Sequence, residues 1–102
     1  MESKNTTQKN LIESEKYLDK KLVVEVEKLG GLCIKLVTTH FSGLPDRLCL
    51  MPGGKIFFAE IKTTLKKPRK IQIFVHNKLR DRGFTVYVID TSKQIFEVLK
   101  SF

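Results

Sequence analysis

The sequence has few cysteines, no long apolar run and fewer acidic than basic side chains. Its two cysteines, Cys33 and Cys49, match neither a zinc-site spacing nor a disulfide framework, so both are expected to be buried, reduced thiols. No segment is long and apolar enough to span a membrane, and the first ten residues lack the apolar core of a secretory signal. We therefore expect a cytoplasmic protein with no membrane contact.

The shortage of acidic residues gives the chain a strong positive charge. Lysine and arginine number 19 and acidic residues 11, for a net charge of +8. A small basic domain is biased towards polyanions, chiefly nucleic acid, although an anionic membrane surface or simple solubility would explain the same charge. At 102 residues the chain allows one domain. The polar residues 1–10 predict a disordered N-terminal arm, and residues 11–102 form the domain.

The periodicity of apolar residues predicts the order helix, three strands, helix, strand, helix. The first helix runs from Leu11 to about Leu29, and the second from about Arg69 to Arg82. The capping-box spacing of Thr91 and Gln94 begins the last helix. Since the fourth strand follows a helical crossover, it should pair in parallel with an earlier strand. The expected fold is α/β, a single compact αβββαβα domain with a mixed four-stranded sheet flanked by helices.

The segment 43–62 predicts a β-hairpin with an acidic residue on each arm. Gly53 lies at the centre of a three-residue turn, Pro52 to Gly54. Because strand side chains alternate between faces, this turn places Asp46 opposite Glu60, with Cβ atoms about 5 Å apart. Two opposed carboxylates repel each other, and a divalent cation between them would turn that repulsion into attraction. Oxygen ligands of this kind suit Mg²⁺ or Mn²⁺.

Lys62 should point to the same face as this acidic pair. A cation there can help to lower the pKa of a metal-bound water or stabilise charge on a phosphate. The alternative is a plain salt bridge, in which Lys62 pairs with Asp46 or Glu60 at the frayed end of the hairpin.

These residues resemble a known nuclease signature. Pro45-Asp46 followed by Glu60-Ile61-Lys62 is similar to the PD-(D/E)XK motif. The longer string Gly-Leu-Pro-Asp-Arg at 43–47, with Gln72 downstream, resembles the VRR-NUC branch (virus-type replication-repair nucleases) over roughly residues 15–90. The resemblance implies a restriction-endonuclease-like core and a Mg²⁺- or Mn²⁺-dependent endodeoxyribonuclease that leaves 5′-phosphate and 3′-hydroxyl ends.

The resemblance also implies the roles of individual residues. It assigns catalysis to Asp46, Glu60, Lys62 and Gln72, and metal binding to Asp46, Glu60, the Ile61 carbonyl and Glu15. Glu15 interrupts the apolar stripe of the first helix, and the alternative is that this first turn faces solvent. For Gln72 the alternative is an ordinary polar residue in the first turn of its helix.

Two further expectations rest on the resemblance alone. Standalone members of this family are typically viral or phage-encoded, which would place the protein in the host cell cytoplasm. They are often homodimers that act on branched DNA such as four-way junctions.

Several cations are candidates for DNA contacts. A run directly after the Glu-Ile-Lys strand forms the best candidate phosphate patch, although charge runs are usually only solvated loops: Lys66, Lys67, Arg69 and Lys70. Lys35 lies within an apolar run, either as a snorkelling edge residue or as a phosphate contact. The rival functions are a non-catalytic nucleic-acid-binding protein and a degenerate nuclease fold that inhibits or recruits another protein.

Overall fold

The computed structural model describes residues 11–102, so the predicted N-terminal arm lies outside the described residues. Its elements are α1 (Glu15–Lys28), β1 (Leu32–Lys35), β2 (Arg47–Met51), β3 (Lys55–Ile61), α2 (Lys70–Asp81), β4 (Val86–Ile89) and α3 (Ser92–Leu99). The predicted order is confirmed. Helix α1 begins later than expected because the Ser14 side chain accepts the backbone N–H of Tyr17 and caps the helix there.

The four strands form one mixed sheet in the order β1-β2-β3-β4. The pairs β1–β2 and β2–β3 are antiparallel, whereas β3–β4 is parallel, as the helical crossover predicts. Helices α1 and α3 pack against one face, and α2 reaches the other. The expected α/β class and mixed sheet are confirmed.

The core lies between the sheet and helices α1 and α3. Its buried side chains include Leu18, Leu22 and Val26 from α1, Phe57, Ala59 and Ile61 from β3, and Ile95 and Leu99 from α3. Leu11, which the periodicity placed at the start of the same stripe, is 62% exposed and precedes the helix. Cys49 is buried as expected, but Cys33 is only half-buried because β1 is an edge strand.

The hairpin has the register that its turn predicts. Leu48 lies opposite Phe58 and Leu50 opposite Ile56. The connection is a single 3₁₀ turn, Pro52–Gly54, in which Gly53 has φ 82° and Gly54 φ 77°. A side chain would be strained in this left-handed region, which explains the two glycines.

Residue 43 also requires glycine, for a reason tied to helix α2. Gly43 has φ 91°, and a Cβ there would lie 2.7 Å from the carbonyl oxygen of Ile71. The loop before β2 therefore packs directly on the first turn of α2. This contact joins the residues leading to Asp46 to the helix that carries Gln72. Among residues 11–102, none of the helices is long and apolar enough to cross a membrane.

Candidate active site

Glu60 is a carboxylate that the fold buries. It is 1% exposed, on the β3 face opposite the core, while its neighbours Ala59 and Ile61 point into the core. Strand alternation therefore directs Glu60 towards α2. A buried carboxylate is costly unless its oxygens are paired, so its partners identify the site.

Gln72 connects Glu60 to the start of α2. Its side-chain nitrogen Nε2 donates to Glu60 Oε2 at 2.8 Å, and its oxygen Oε1 accepts the backbone N–H of Arg69 at 2.7 Å. The second contact fixes which end of the amide faces the carboxylate. Gln72 is itself buried, so it is more than a polar residue of a solvated first turn.

His76 was not predicted as a site residue. It lies one helical turn beyond Gln72, is 1% exposed, and places Nε2 3.6 Å from Glu60 Oε1. Neither of these two atoms has a hydrogen-bond partner among the described residues. The four-residue spacing places Gln72 and His76 on one face of the helix, but only the packing of α2 on β3 shows that this face meets Glu60.

The electrostatics of this cluster favour a neutral Glu60. Burial and the nearby charge of Asp46 raise the pKa of the Glu60 carboxyl from 4.5 to about 7, against the opposing charge of Lys62. Lys62 Nζ lies 3.4 Å from Glu60 Oε2, with its side chain mostly buried. Burial and the charges of Arg80 and Lys62 lower the pKa of His76, so the imidazole is neutral at pH 7.

Asp46 lies one residue beyond the last β2–β3 pair, in the register position opposite Glu60. Its Oδ2 accepts the backbone N–H of Ile61 at 2.8 Å. Its backbone oxygen accepts the N–H of Leu36 at 2.8 Å, which continues the β1–β2 ladder. The side chain is thus held beside the end of β3, where Glu60 and Ile61 lie.

Glu15 lines the same cavity as Asp46 and Ile61, a cleft of about 430 Å³ at the start of α1. The Glu15 side chain is exposed, as expected in the first turn of a helix, and it lines this cleft. Its backbone N–H donates to Thr63 Oγ1 at 3.2 Å. The segment after Lys62 therefore anchors the start of α1 beside the end of β3.

Glu13, the other acid near the start of α1, has a different position. Its carboxylate accepts the backbone N–H of Ser92 at 2.8 Å and the Ser92 hydroxyl at 2.6 Å, at the beginning of α3. Its backbone is tied to Thr64 through the N–H, at 2.9 Å. Glu13 is therefore occupied as a helix-terminus partner, and Glu15 is the acid that faces the cleft.

The residues present fit a divalent cation. Among residues 11–102 no group donates a hydrogen bond to the buried Glu60 Oε1, Asp46 is near enough to raise the pKa of the Glu60 carboxyl, and the donors are hard oxygen atoms. Within residues 11–102, three or more His, Cys, Asp or Glu side chains nowhere converge on a metal-sized site. The fit therefore rests on the Asp46 and Glu60 carboxylates and the Ile61 carbonyl, with Glu15 in the cleft that Asp46 and Ile61 line.

The candidate phosphate patch lies on the surface beside this site. Its four cations are exposed, and none forms a salt bridge with an acidic residue among 11–102: Lys66, Lys67, Arg69 and Lys70. Their loop is fixed by hydrogen bonds from Thr64 Oγ1 to the Asp90 carbonyl, at 2.8 Å, and from the Leu65 N–H to the Asp90 carboxylate, at 2.9 Å. The run is therefore an ordered basic surface.

Lys35 and Arg47 line the same cleft as Asp46. Lys35 is exposed at the end of the edge strand β1. Arg47 is engaged by Asp19 of α1, with Nη2 2.6 Å and Nε 2.8 Å from the two carboxylate oxygens. Such a two-point pair holds the guanidinium in place, so Lys35 is the freer of the two cations.

Comparisons with known proteins bear on the fold and the family of the chain. No family model matches the chain. A relative from Acyrthosiphon pisum secondary endosymbiont phage 1, "Putative nuclease p44", is 42% identical over 77 residues, which cover 76% of this chain and 83% of the relative. A solved structure of a VRR_NUC domain superposes with a TM-score of 0.82 at 33% identity, covering 88% of this chain and 99% of that one. The chain belongs to the VRR-NUC domain family.

Proposed function

We propose that the protein is a Mg²⁺- or Mn²⁺-dependent DNA endonuclease. One observation carries the proposal above the others: Glu60 is buried near Asp46 and Lys62, and one of its oxygens has no hydrogen-bond partner in the part of the chain that the structure describes. This arrangement makes the metal-free fold less stable, because burial and Asp46 both disfavour the Glu60 charge. A site for a cation explains why the charge is there.

Each residue of the cluster has a distinct part in this proposal. Asp46, Glu60 and the Ile61 carbonyl hold the cation, and Glu15 adds a ligand from the cleft. When bound, the cation supplies Lewis-acid polarisation of the scissile phosphate and lowers the pKa of a water molecule. Lys62 offsets the negative charge that develops on the phosphate.

Gln72 holds Glu60 in the orientation that the cation needs, and His76 lies against the other side of the carboxylate. Gln72 fixes Oε2 by a 2.8 Å hydrogen bond, and His76 borders Oε1 at 3.6 Å. Both lie on one face of α2, so the carboxylate is oriented by a rigid element. Partners of this kind typically affect metal affinity or activity by about 10- to 100-fold.

The direct test is a cleavage assay on the full chain. Labelled four-way junction, duplex and single-stranded DNA are each incubated with Mg²⁺, Mn²⁺ or EDTA, with Glu60→Gln as the control. Cleavage that requires metal and is lost in the variant supports the proposal. Binding that persists in EDTA and in the variant, without cleavage under any condition, would instead indicate a non-catalytic nucleic-acid-binding protein.

Branched DNA and a homodimer complete the proposal. The side of strands β1 to β3 that faces away from the core exposes the apolar side chains of Leu32, Ile34 and Ile56. Their neighbours in the strands, Cys33 and Phe57, point towards the core instead. A self-complementary contact through such a face would present two sites to a two-fold symmetric junction.

We expect sedimentation equilibrium to give twice the 11.8 kDa chain mass for the wild type, and Ile34→Lys to give the mass of one chain. A wild-type monomer that still cuts both junction strands together would contradict the dimer.

The two N-terminal acids should differ in what they do. We expect Glu15→Gln to lower the apparent affinity for Mg²⁺ by about tenfold, because a ligand facing the cleft loses its charge. Glu13→Gln should leave metal affinity unchanged and lower the melting temperature by a few degrees, because α3 loses a charged partner. Metal titrations of cleavage, with thermal melts of both variants, check the assignment. Equal losses of metal affinity would contradict it.

The candidate phosphate patch should control DNA affinity without affecting catalysis at saturation. Lys66→Gln combined with Lys67→Gln is expected to weaken binding in EDTA and to reduce the slope of log K against log[salt] by about 2. The matched control is Lys93→Gln with Lys100→Gln, which removes the same charge from exposed positions of α3 and its end. If both pairs changed the slope equally, only net charge would matter.

A further inference from the structure

The two cysteines lie directly opposite each other across β1 and β2. Cys33 pairs with Cys49 in the antiparallel register, and their sulfur atoms are 3.6 Å apart. Both are free thiols. They are 16 positions apart in the chain, so strand pairing brings them together.

The hydrogen-bonding pattern between β1 and β2 decides whether a disulfide can join these two cysteines. The backbone N–H of Leu36 donates to the carbonyl of Asp46, so that pair is a hydrogen-bonded one. Because the two kinds of pair alternate along an antiparallel ladder, Cys33 and Cys49 form a non-hydrogen-bonded pair. Cα atoms in such a pair are about 4.5 Å apart, within the range that disulfides span.

The two thiols differ in access. Cys33 is half-buried on the edge strand, whereas Cys49 is fully buried behind it. The Cys49 thiol donates a hydrogen bond to Cys33 Sγ, and Arg47 Nη1 donates to the Cys33 carbonyl at 3.2 Å. The Cys49 hydrogen bond, helped by the Arg47 charge, lowers the pKa of the Cys33 thiol against the effect of burial. Cys33 is therefore the thiol that reacts first.

We propose that Cys33 and Cys49 are a modification site that closes to a reversible cross-strand disulfide by exchange with a small-molecule disulfide. The Cys33 thiolate attacks one sulfur of the oxidant, forms a mixed disulfide and releases one thiolate. The Cys49 thiol then gives up its proton and attacks the Cys33 sulfur, expelling the second thiol. The protein loses two protons and two electrons, and the oxidant takes them up and is reduced to two thiols.

The bridge would tie β1 to β2 at the base of the loop that leads into Asp46. Closing a loop of this length restricts the unfolded chain and raises the melting temperature, here by at least about 5 °C. The chemistry uses neither Glu60 nor Lys62, so it stands whether or not the protein is a nuclease.

The test uses the full chain and oxidised glutathione. The reduced protein is treated in EDTA at pH 8, quenched with acid, and examined by intact mass and by peptide mapping under non-reducing conditions. Cys49→Ala removes the resolving thiol, and Cys33→Ala removes the reacting one. Thermal melts are recorded before oxidation, after it, and after reduction with dithiothreitol.

The wild type is expected to lose two hydrogens and to give a linked Cys33–Cys49 peptide, with the melting temperature raised and then restored by dithiothreitol. Cys49→Ala should instead accumulate one glutathione on Cys33, and Cys33→Ala should stay unmodified. Glutathione retained on wild-type Cys33, or a disulfide between two chains, would overturn the proposal. So would a linked product with a lowered melting temperature, because the strand geometry would then not be preformed for the bond.

Discussion

Replacing Glu60 with glutamine is expected to abolish cleavage and to make the metal-free protein more stable at pH 8. The first effect follows from the proposed metal site, since the variant loses a charged ligand and the rate should fall by about a thousandfold or more. The second follows from burial. Glutamine fills nearly the same volume, its oxygen can still accept from Gln72 Nε2, and the carboxylate charge that burial and Asp46 disfavour is removed.

The stability difference should depend on pH in a defined direction. The pKa of the Glu60 carboxyl is about 7 in the folded chain and 4.5 as its ordinary value. Below pH 4.5 the Glu60 carboxyl is protonated in both the folded and the unfolded chain, so its ionisation does not change the free energy of unfolding. Between pH 4.5 and 7 the unfolded state ionises first, so stability falls as pH rises. Above pH 7 the full cost remains, and this is where Glu60→Gln gains most.

Calorimetry of the two proteins in EDTA at pH 5 and pH 8 measures this effect. The melting temperatures should differ little at pH 5, and the variant should melt a few degrees higher at pH 8. Added Mg²⁺ should raise the melting temperature of the wild type alone. If Glu60→Gln were less stable at pH 8 in EDTA, Glu60 would be a structural partner of Gln72 and Lys62, and the metal site would lose its main support.

The hairpin shows which parts of this site the sequence could predict. The turn of proline and two glycines sets the loop length, and strand alternation then fixes the register from Leu50 back to Asp46. The position of Asp46 opposite Glu60 therefore followed from local rules. The parallel pairing of β4 also followed, because a helical crossover allows few alternatives.

The contacts made between distant elements could not be predicted in this way. His76 reaches Glu60 only because α2 crosses β3 at a particular angle, which its own spacing does not specify. The opposition of Cys33 and Cys49 depends on the β1–β2 register, and the long loop between those strands does not set it as a tight turn would. Glu15 was predicted from its place in the helical stripe and from the family resemblance, whereas the contact of Glu13 with Ser92 at the start of α3 could not be seen in the sequence.

Lys62→Met should reduce the cleavage rate at saturating Mg²⁺ by about 100- to 1,000-fold, while DNA affinity in EDTA changes little. Methionine keeps most of the length and apolar volume of a side chain that is largely buried, and the Lys62 N–H still donates to the Ile89 carbonyl. The loss is therefore that of the ammonium charge, which is proposed to stabilise the transition state.

The pH dependence separates this role from simple phosphate binding. Lys62 lowers the pKa of the Glu60 carboxyl, so its removal should shift the acidic limb of the rate profile to higher pH. Lys62→Arg keeps the charge, so the acidic side of its pH–rate profile should stay at the wild-type pH. The control Lys66→Met, at an exposed neighbouring position, should change neither the rate nor the profile. Single-turnover rates from pH 5.5 to 9 provide the measurement. The contrary result is that Lys62→Met weakens DNA binding while the rate at saturation and the acidic side of the pH–rate profile stay unchanged. Lys62 would then belong with the candidate phosphate patch. The reason is that the loss of a cation 3.4 Å from Glu60 must shift the pKa of that carboxyl if Glu60 acts in the reaction.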